Sequence, residues 1–147
     1  SAVAKKELQL SPIGPLFKAA GVIFVDRMNK EKALEAMKPG VTALQNGTSI
    51  AIAPEGTRSK DYTLGPFKKG AWHLAMQAGV PILPVVIMNA YDAMPKGPAI
   101  LKPAVIEVRI LPPVSTEGWK KRDLDKSVIA VRNQYLAELG QTEQVVS

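Results

Sequence analysis

Four consecutive residues, Glu55-Gly56-Thr57-Arg58, place an acid, a glycine and an arginine at the end of an apolar run, Ser49 to Ala53, and that combination builds an anion site. Gly56 lets the backbone turn sharply and approach a ligand closely. Arg58 offers a planar fork of donors that suits phosphate oxygens better than an ammonium would; the competing reading is an ion pair that ties down its own loop. A carboxylate beside a phosphate repels it unless neutralised. Glu55 is therefore expected to pair with a cation such as Arg27 and hold the loop, with direct contact to a ligand's polar groups as the alternative. Asp26-Arg27 follows Val22 to Val25 as Glu55 follows its own run, so both pairs are expected at the same sheet edge. Lys68 precedes a helix start whose free N–H groups favour anions; a solvated lysine is the competing reading. Phe67, Trp72 and Met76 read either as the lining of an apolar channel or as ordinary core.

The elements that must position these residues alternate. The runs Ala2 to Ala4, Val22 to Val25, Ser49 to Ala53 and Ile82 to Met88 read as strands, separated by stretches long enough for helices, which predicts an α/β fold with a mostly parallel central sheet flanked by helices. Lys30 to Asn46 reads as a helix that Pro39-Gly40 should break or kink and Asn46-Gly47 should end. From Gly70, the residues Ala71, Leu74, Ala75 and Ala78 recur at helical spacing, so they form one stripe, with His73 and Gln77 on the opposite face and Gly79 as the stop. Pro81 and Pro84 bracket an apolar strand and mark an irregularity in it. Ile106, Val108 and Ile110 alternate with Glu107 and Arg109, the pattern of a strand with one wet face. Leu124, Val128, Val131, Tyr135 and Leu139 mark an amphipathic helix closed by Gly140.

With 147 residues the chain fits a single domain, 1–147, able to bury its own core. The absence of cysteine excludes a disulfide framework and a thiolate nucleophile, and one histidine with no cysteine argues against zinc or any other metal. The net charge of +6 favours an anionic partner. Its basic clusters, Lys68-Lys69 and Lys120-Lys121-Arg122, lack interleaved aromatics, which points away from nucleic acid and leaves an acidic membrane surface. The longest apolar run, Val80 to Met88, is far short of the roughly 20 residues of a spanning helix.

The segment around Glu55-Gly56-Thr57-Arg58 resembles the third signature of the glycerolipid acyltransferase family, of the lysophosphatidic acid acyltransferase type. Gly21 to Arg27 is similar to its second signature, Val80 to Val85 to its fourth, and Val3 to Leu8 to the lysine segment before the second. Four short matches in order are far more specific than any one alone. The family's first signature, H-x-x-x-x-D, has no counterpart here: the sole histidine is His73, and Ala78 stands five residues on. The chain is thus expected to begin after the catalytic pair, truncated at its N-terminus, and to retain no catalytic residue.

What the resemblance implies is acyl transfer from acyl-CoA or acyl-ACP, as co-substrate and without a cofactor, to a hydroxyl of a lysophosphatidic acid-like acceptor in phospholipid biosynthesis. It implies substrate binding by Lys5, Arg27, Glu55, Gly56, Thr57, Arg58 and Lys68, with Lys5 and Arg58 on the acceptor phosphate and Lys6 as rival to Lys5. It also implies a peripheral membrane location on the cytoplasmic side, with oligomeric state open. The alternative is a non-catalytic phospholipid or phosphate-binding module on the same scaffold. An RNA-binding domain stands on net charge alone.

Overall fold

The computed structural model describes residues 3–5, 23–25, 30–58, 61–93 and 103–142. Its elements run β1 (Val3–Lys5), β2 (Ile23–Val25), α1 (Lys30–Gln45), α2 (Gly70–Ala78), β3 (Val85–Ile87), a single turn α3 (Ala90–Ala93), β4 (Val108–Ile110), a 3₁₀ turn (Lys121–Asp123) and α4 (Leu124–Glu138). The chain divides into two compact units, residues 1–53 with 74–80, and residues 54–73 with 81–147.

In the first unit β1 and β2 pair in parallel, Val3 opposite Ile23 and Lys5 opposite Val25. α1 packs against β2. The α1 core is Met37 and Leu74, surrounded by Val41, Leu44, Ile50 and Ile52. α1 does not break at Pro39. It runs through that residue to Gln45, because Met37, Val41 and Leu44 share one apolar face and burying it outweighs the hydrogen bond that proline cannot donate. The run Ser49 to Ala53 is extended rather than a full strand, with a lone bridge at Ala51 among the described residues.

Among the described residues, the three long helices end as their glycines require. At α1, Thr48 N–H reaches Ala43 O (2.9 Å) and Gly47 N–H reaches Leu44 O (3.0 Å). At α2, Val80 bonds Ala75 and Gly79 bonds Met76, and at α4, Gln141 bonds Leu136 and Gly140 bonds Ala137. Each glycine adopts positive φ, which closes the last turn and satisfies carbonyls that a helix end leaves open.

The second unit is organised by α4. Leu124, Val128, Val131 and Leu136 are buried along it, together with Phe67, Trp72 and Val86. Tyr135 is half-buried, stands edge-on to Phe67 with ring centroids 5.1 Å apart, and its hydroxyl accepts the Val85 N–H at 3.0 Å. Burial raises the Tyr135 pKa, a shift partly offset by that bond. β3 and β4 pair antiparallel, with Val85 opposite Ile110, Val86 opposite Arg109 and Ile87 opposite Val108. The ladder resumes at an Ile82–Val114 bridge with one extra residue on the second strand. This bulge follows from chemistry: Pro84, fully buried, lends only its carbonyl, to Leu111 N–H at 3.0 Å, and Pro112-Pro113 lend no donors.

The faces of β4 differ from the sequence reading. Ile106, Val108 and Ile110 were the expected covered set, yet all are exposed, as are their neighbours Leu83, Val85 and Ile87. The face turned toward α4 is that of Val86 and Arg109, because Arg109 bridges Glu107 (2.8 Å) and Glu138 of α4 (2.9 Å). The described strands therefore form one parallel and one antiparallel pair, within an α/β arrangement. Among the described residues no helix is long and apolar enough to cross a membrane.

Candidate functional site

The Glu55-Gly56-Thr57-Arg58 turn follows Pro54, whose carbonyl accepts the Lys68 N–H at 2.8 Å just ahead of α2. Gly56 turns the chain with φ +68°, a conformation that side-chain-bearing residues rarely adopt. Arg58 and Thr57 are exposed, and the Thr57 hydroxyl donates to Arg58 O at 3.4 Å. Glu55 is half-buried and points back into the loop, where its Oε2 accepts the Gly65 N–H at 2.8 Å. The partner shown is a backbone amide ten residues on, not the expected cation. The contact is close: a Cβ on Gly65 would lie 2.6 Å from Glu55 Oε2.

The far side of the loop rests on α4. Arg132 Nε donates to Gly65 O at 2.9 Å and its Nη2 to Leu64 O at 2.8 Å. Gln141 accepts the Leu64 N–H at 3.0 Å and donates to Tyr62 O at 2.8 Å. Tyr62 in turn donates its hydroxyl to Asp92 at 2.6 Å, which raises the phenol's pKa, and its ring lies against Tyr91 at 4.9 Å. No motif marks Arg132 or Gln141 in the sequence, because a side chain that grips carbonyls leaves no pattern in the residues it grips.

Lys68 is exposed at the approach to α2. Next to it, Lys69 pairs with Asp125 at 2.8 Å. Phe67 and Trp72 are both in the core, with ring centroids 5.8 Å apart, and the Trp72 indole N–H finds no partner among the described residues. Of the two readings of these aromatics, core is the one the burial supports. His73 is half-buried, and its pKa is lowered by burial, then by Lys121 and Lys69. Its charged neighbours are cations, the opposite of the carboxylate that orients a catalytic imidazole.

Lys5 ends β1, opposite Val25, in the first unit, whereas Glu55, Gly56, Thr57, Arg58 and Lys68 belong to the second. Arg27 and Lys6 lie outside the described residues, so the expected Glu55–Arg27 pair does too. Among the described residues no cluster of His, Asp and Glu could hold a metal ion.

The Acyltransferase family model matches residues 1–88, and the chain belongs to that family. Its relatives are specific. The 1-acyl-sn-glycerol-3-phosphate acyltransferase of Limnanthes douglasii is 37% identical over 144 residues, covering 97% of this chain and 51% of the relative. The alpha form of that enzyme from Mus musculus is 38% identical over 137 residues, covering 91% and 48%. Among solved structures, the 1-acyl-sn-glycerophosphate (LPA) acyltransferase PlsC of Thermotoga maritima superposes with a TM-score of 0.73 at 31% identity, covering 99% of this chain and 58% of that one. The chain spans about half the length of the curated relatives it matches.

Proposed function

We propose that this chain is the acceptor-binding part of an O-acyltransferase that acylates a lysophosphatidic acid-like acceptor in phospholipid biosynthesis. The observation that carries the reading is the Glu55–Arg58 turn. Its arginine faces solvent while its acid is tied to Gly65, so the acid is kept from opposing an incoming phosphate. Names and similarity of the relatives support the same reaction.

In this reading residues 1–147 form one acyltransferase domain built on a mostly parallel central sheet. Arg58 grips the acceptor phosphate bidentately, and Lys5, with Lys6 as its rival, adds a point charge. Gly56 and Thr57 bring the backbone close to the ligand, Arg27 helps neutralise Glu55, and Lys68 adds positive charge beside the start of α2. The base, a histidine oriented by an aspartate, comes from residues outside 1–147. It takes the proton of the acceptor hydroxyl as that oxygen attacks the thioester carbonyl, and the departing thiolate leaves protonated. The donor is acyl-CoA or acyl-ACP. The enzyme works peripherally, on the cytoplasmic side of an anionic membrane.

The test is thiol release by the full-length protein given lysophosphatidate and either donor. The expected result is acceptor-dependent turnover, and Arg58→Lys should raise acceptor KM about tenfold with donor KM unchanged, since an ammonium keeps charge but loses the fork. No transfer to lysophosphatidate overturns the reading. A defect confined to the donor moves Arg58 to the other substrate.

A further inference from the structure

Residues 62–65 belong to no helix or strand, so their backbone groups must find partners elsewhere. They find them on side chains. Tyr62 O and Leu64 N–H go to Gln141, Leu64 O and Gly65 O go to Arg132, and Gly65 N–H goes to Glu55. Gly65 is therefore held on both of its polar groups, by Glu55 on one side and Arg132 on the other. Both partners, Arg132 on α4 and Gln141 just beyond its end, sit on firm ground. Arg132 follows the buried Val131, and Gln141 N–H is fixed to Leu136 O at 2.8 Å by the helix-ending bonds.

We infer that Arg132 is a positioning residue for the acceptor site: by gripping the Leu64 and Gly65 carbonyls it aims the Gly65 N–H at Glu55, and so fixes the turn that presents Arg58. The inference rests on the proposed function only in naming the acceptor as the substrate affected. Its physical basis is that guanidinium–carbonyl bonds are charge-assisted and that a fork spanning two consecutive carbonyls sets the orientation of the peptide between them. That peptide carries the Gly65 N–H. Losing Arg132 frees that peptide to rotate, which weakens the Gly65–Glu55 bond and loosens the turn that carries Arg58.

Gly65→Ala isolates the last step: the nearest atom a Cβ there meets is Glu55 Oε2, the end of a flexible side chain, so the substitution displaces the carboxylate. The experiment uses the full-length enzyme and compares Arg132→Ala, Arg132→Lys, Gly65→Ala and the Arg132→Ala/Gly65→Ala double variant. The readouts are kcat, both KM values, melting temperature and amide exchange over residues 61–65. Arg132→Ala is expected to raise acceptor KM about tenfold with donor KM unchanged, and to speed exchange at Leu64 and Gly65. Arg132→Lys should recover part of the loss. Gly65→Ala should give the same acceptor defect at wild-type melting temperature, and the double variant should be no worse than the poorer single one.

Acceptor KM within about twofold of wild type in Gly65→Ala overturns the inference, as does a defect in Arg132→Ala that falls equally on donor and acceptor. If Arg132→Ala does not fold, Gly65→Ala decides. If the wild-type enzyme acylates no lysophospholipid, the functional reading fails on its own. Unchanged Leu64 and Gly65 exchange in Arg132→Ala then still overturns the positioning role, and faster exchange supports it.

Discussion

Glu55 and Arg58 stand three residues apart with opposite charge; Glu55 accepts the Gly65 N–H, and Arg58 is exposed. Gly56 turns the chain between them with a φ of +68°. Gly56→Ala should cost about 1 kcal/mol in a urea titration, the penalty of a side chain in the left-handed region, and no loss of stability would show that the turn relaxes freely. His73 gives a pH prediction with a definite sign. Its pKa is below the ordinary 6.5 because of burial and of Lys121 and Lys69. The unfolded chain thus takes up its proton first, and stability should fall as pH drops from about 6.5 toward the lowered value, then level off. His73→Gln should flatten that part of the stability profile. An identical profile in the variant would assign the dependence to other groups.

At the scale of elements, α2 and α4 were legible because helical spacing and a terminal glycine agree, and the structure ends both helices at those glycines. α4 departs in one detail: Leu136 is buried where Leu139 was expected to continue the stripe. At Pro39 local propensity predicts a break or a kink in α1, and the packing of Met37 against Leu74 carries the helix on without a break. β4 misled for a related reason. Alternation identifies two faces but not which one a helix covers, and the Arg109–Glu138 pair decides that from a distant segment. The motif half of the site was readable from residue types. Its support was not, since Arg132 and Gln141 act on backbone atoms contributed by another part of the chain. Leu124 tests the packing side of this account. It is 1% exposed at the start of α4, so Leu124→Ala should destabilise by about 3 kcal/mol in urea unfolding. A loss below about 1 kcal/mol would mean that the site collapses to fill the cavity.

For the whole molecule the governing quantities are the net charge of +6 and the inventory of bases. Charge of this sign is expected to attract the chain to anionic vesicles, an attraction that salt should weaken because it reaches only about 8 Å at physiological ionic strength. Acyl transfer asks for something more, a base able to take the acceptor's proton and a carboxylate to orient it. Residues 1–147 hold one imidazole, His73, and the charged groups that shift its pKa are Lys121 and Lys69. Burial first, and then those cations, disfavour the imidazolium that a base would become. The purified 147 residues are therefore expected to bind anionic vesicles in a salt-dependent way yet release no thiol from an acyl thioester above background. The two measurements belong together, because binding without turnover separates the charge of the chain from its chemistry. Turnover above background would sink the assignment of the base to residues outside 1–147, and its loss in His73→Ala would transfer that role to His73. Equal binding to neutral vesicles would replace electrostatic attachment with insertion of apolar surface.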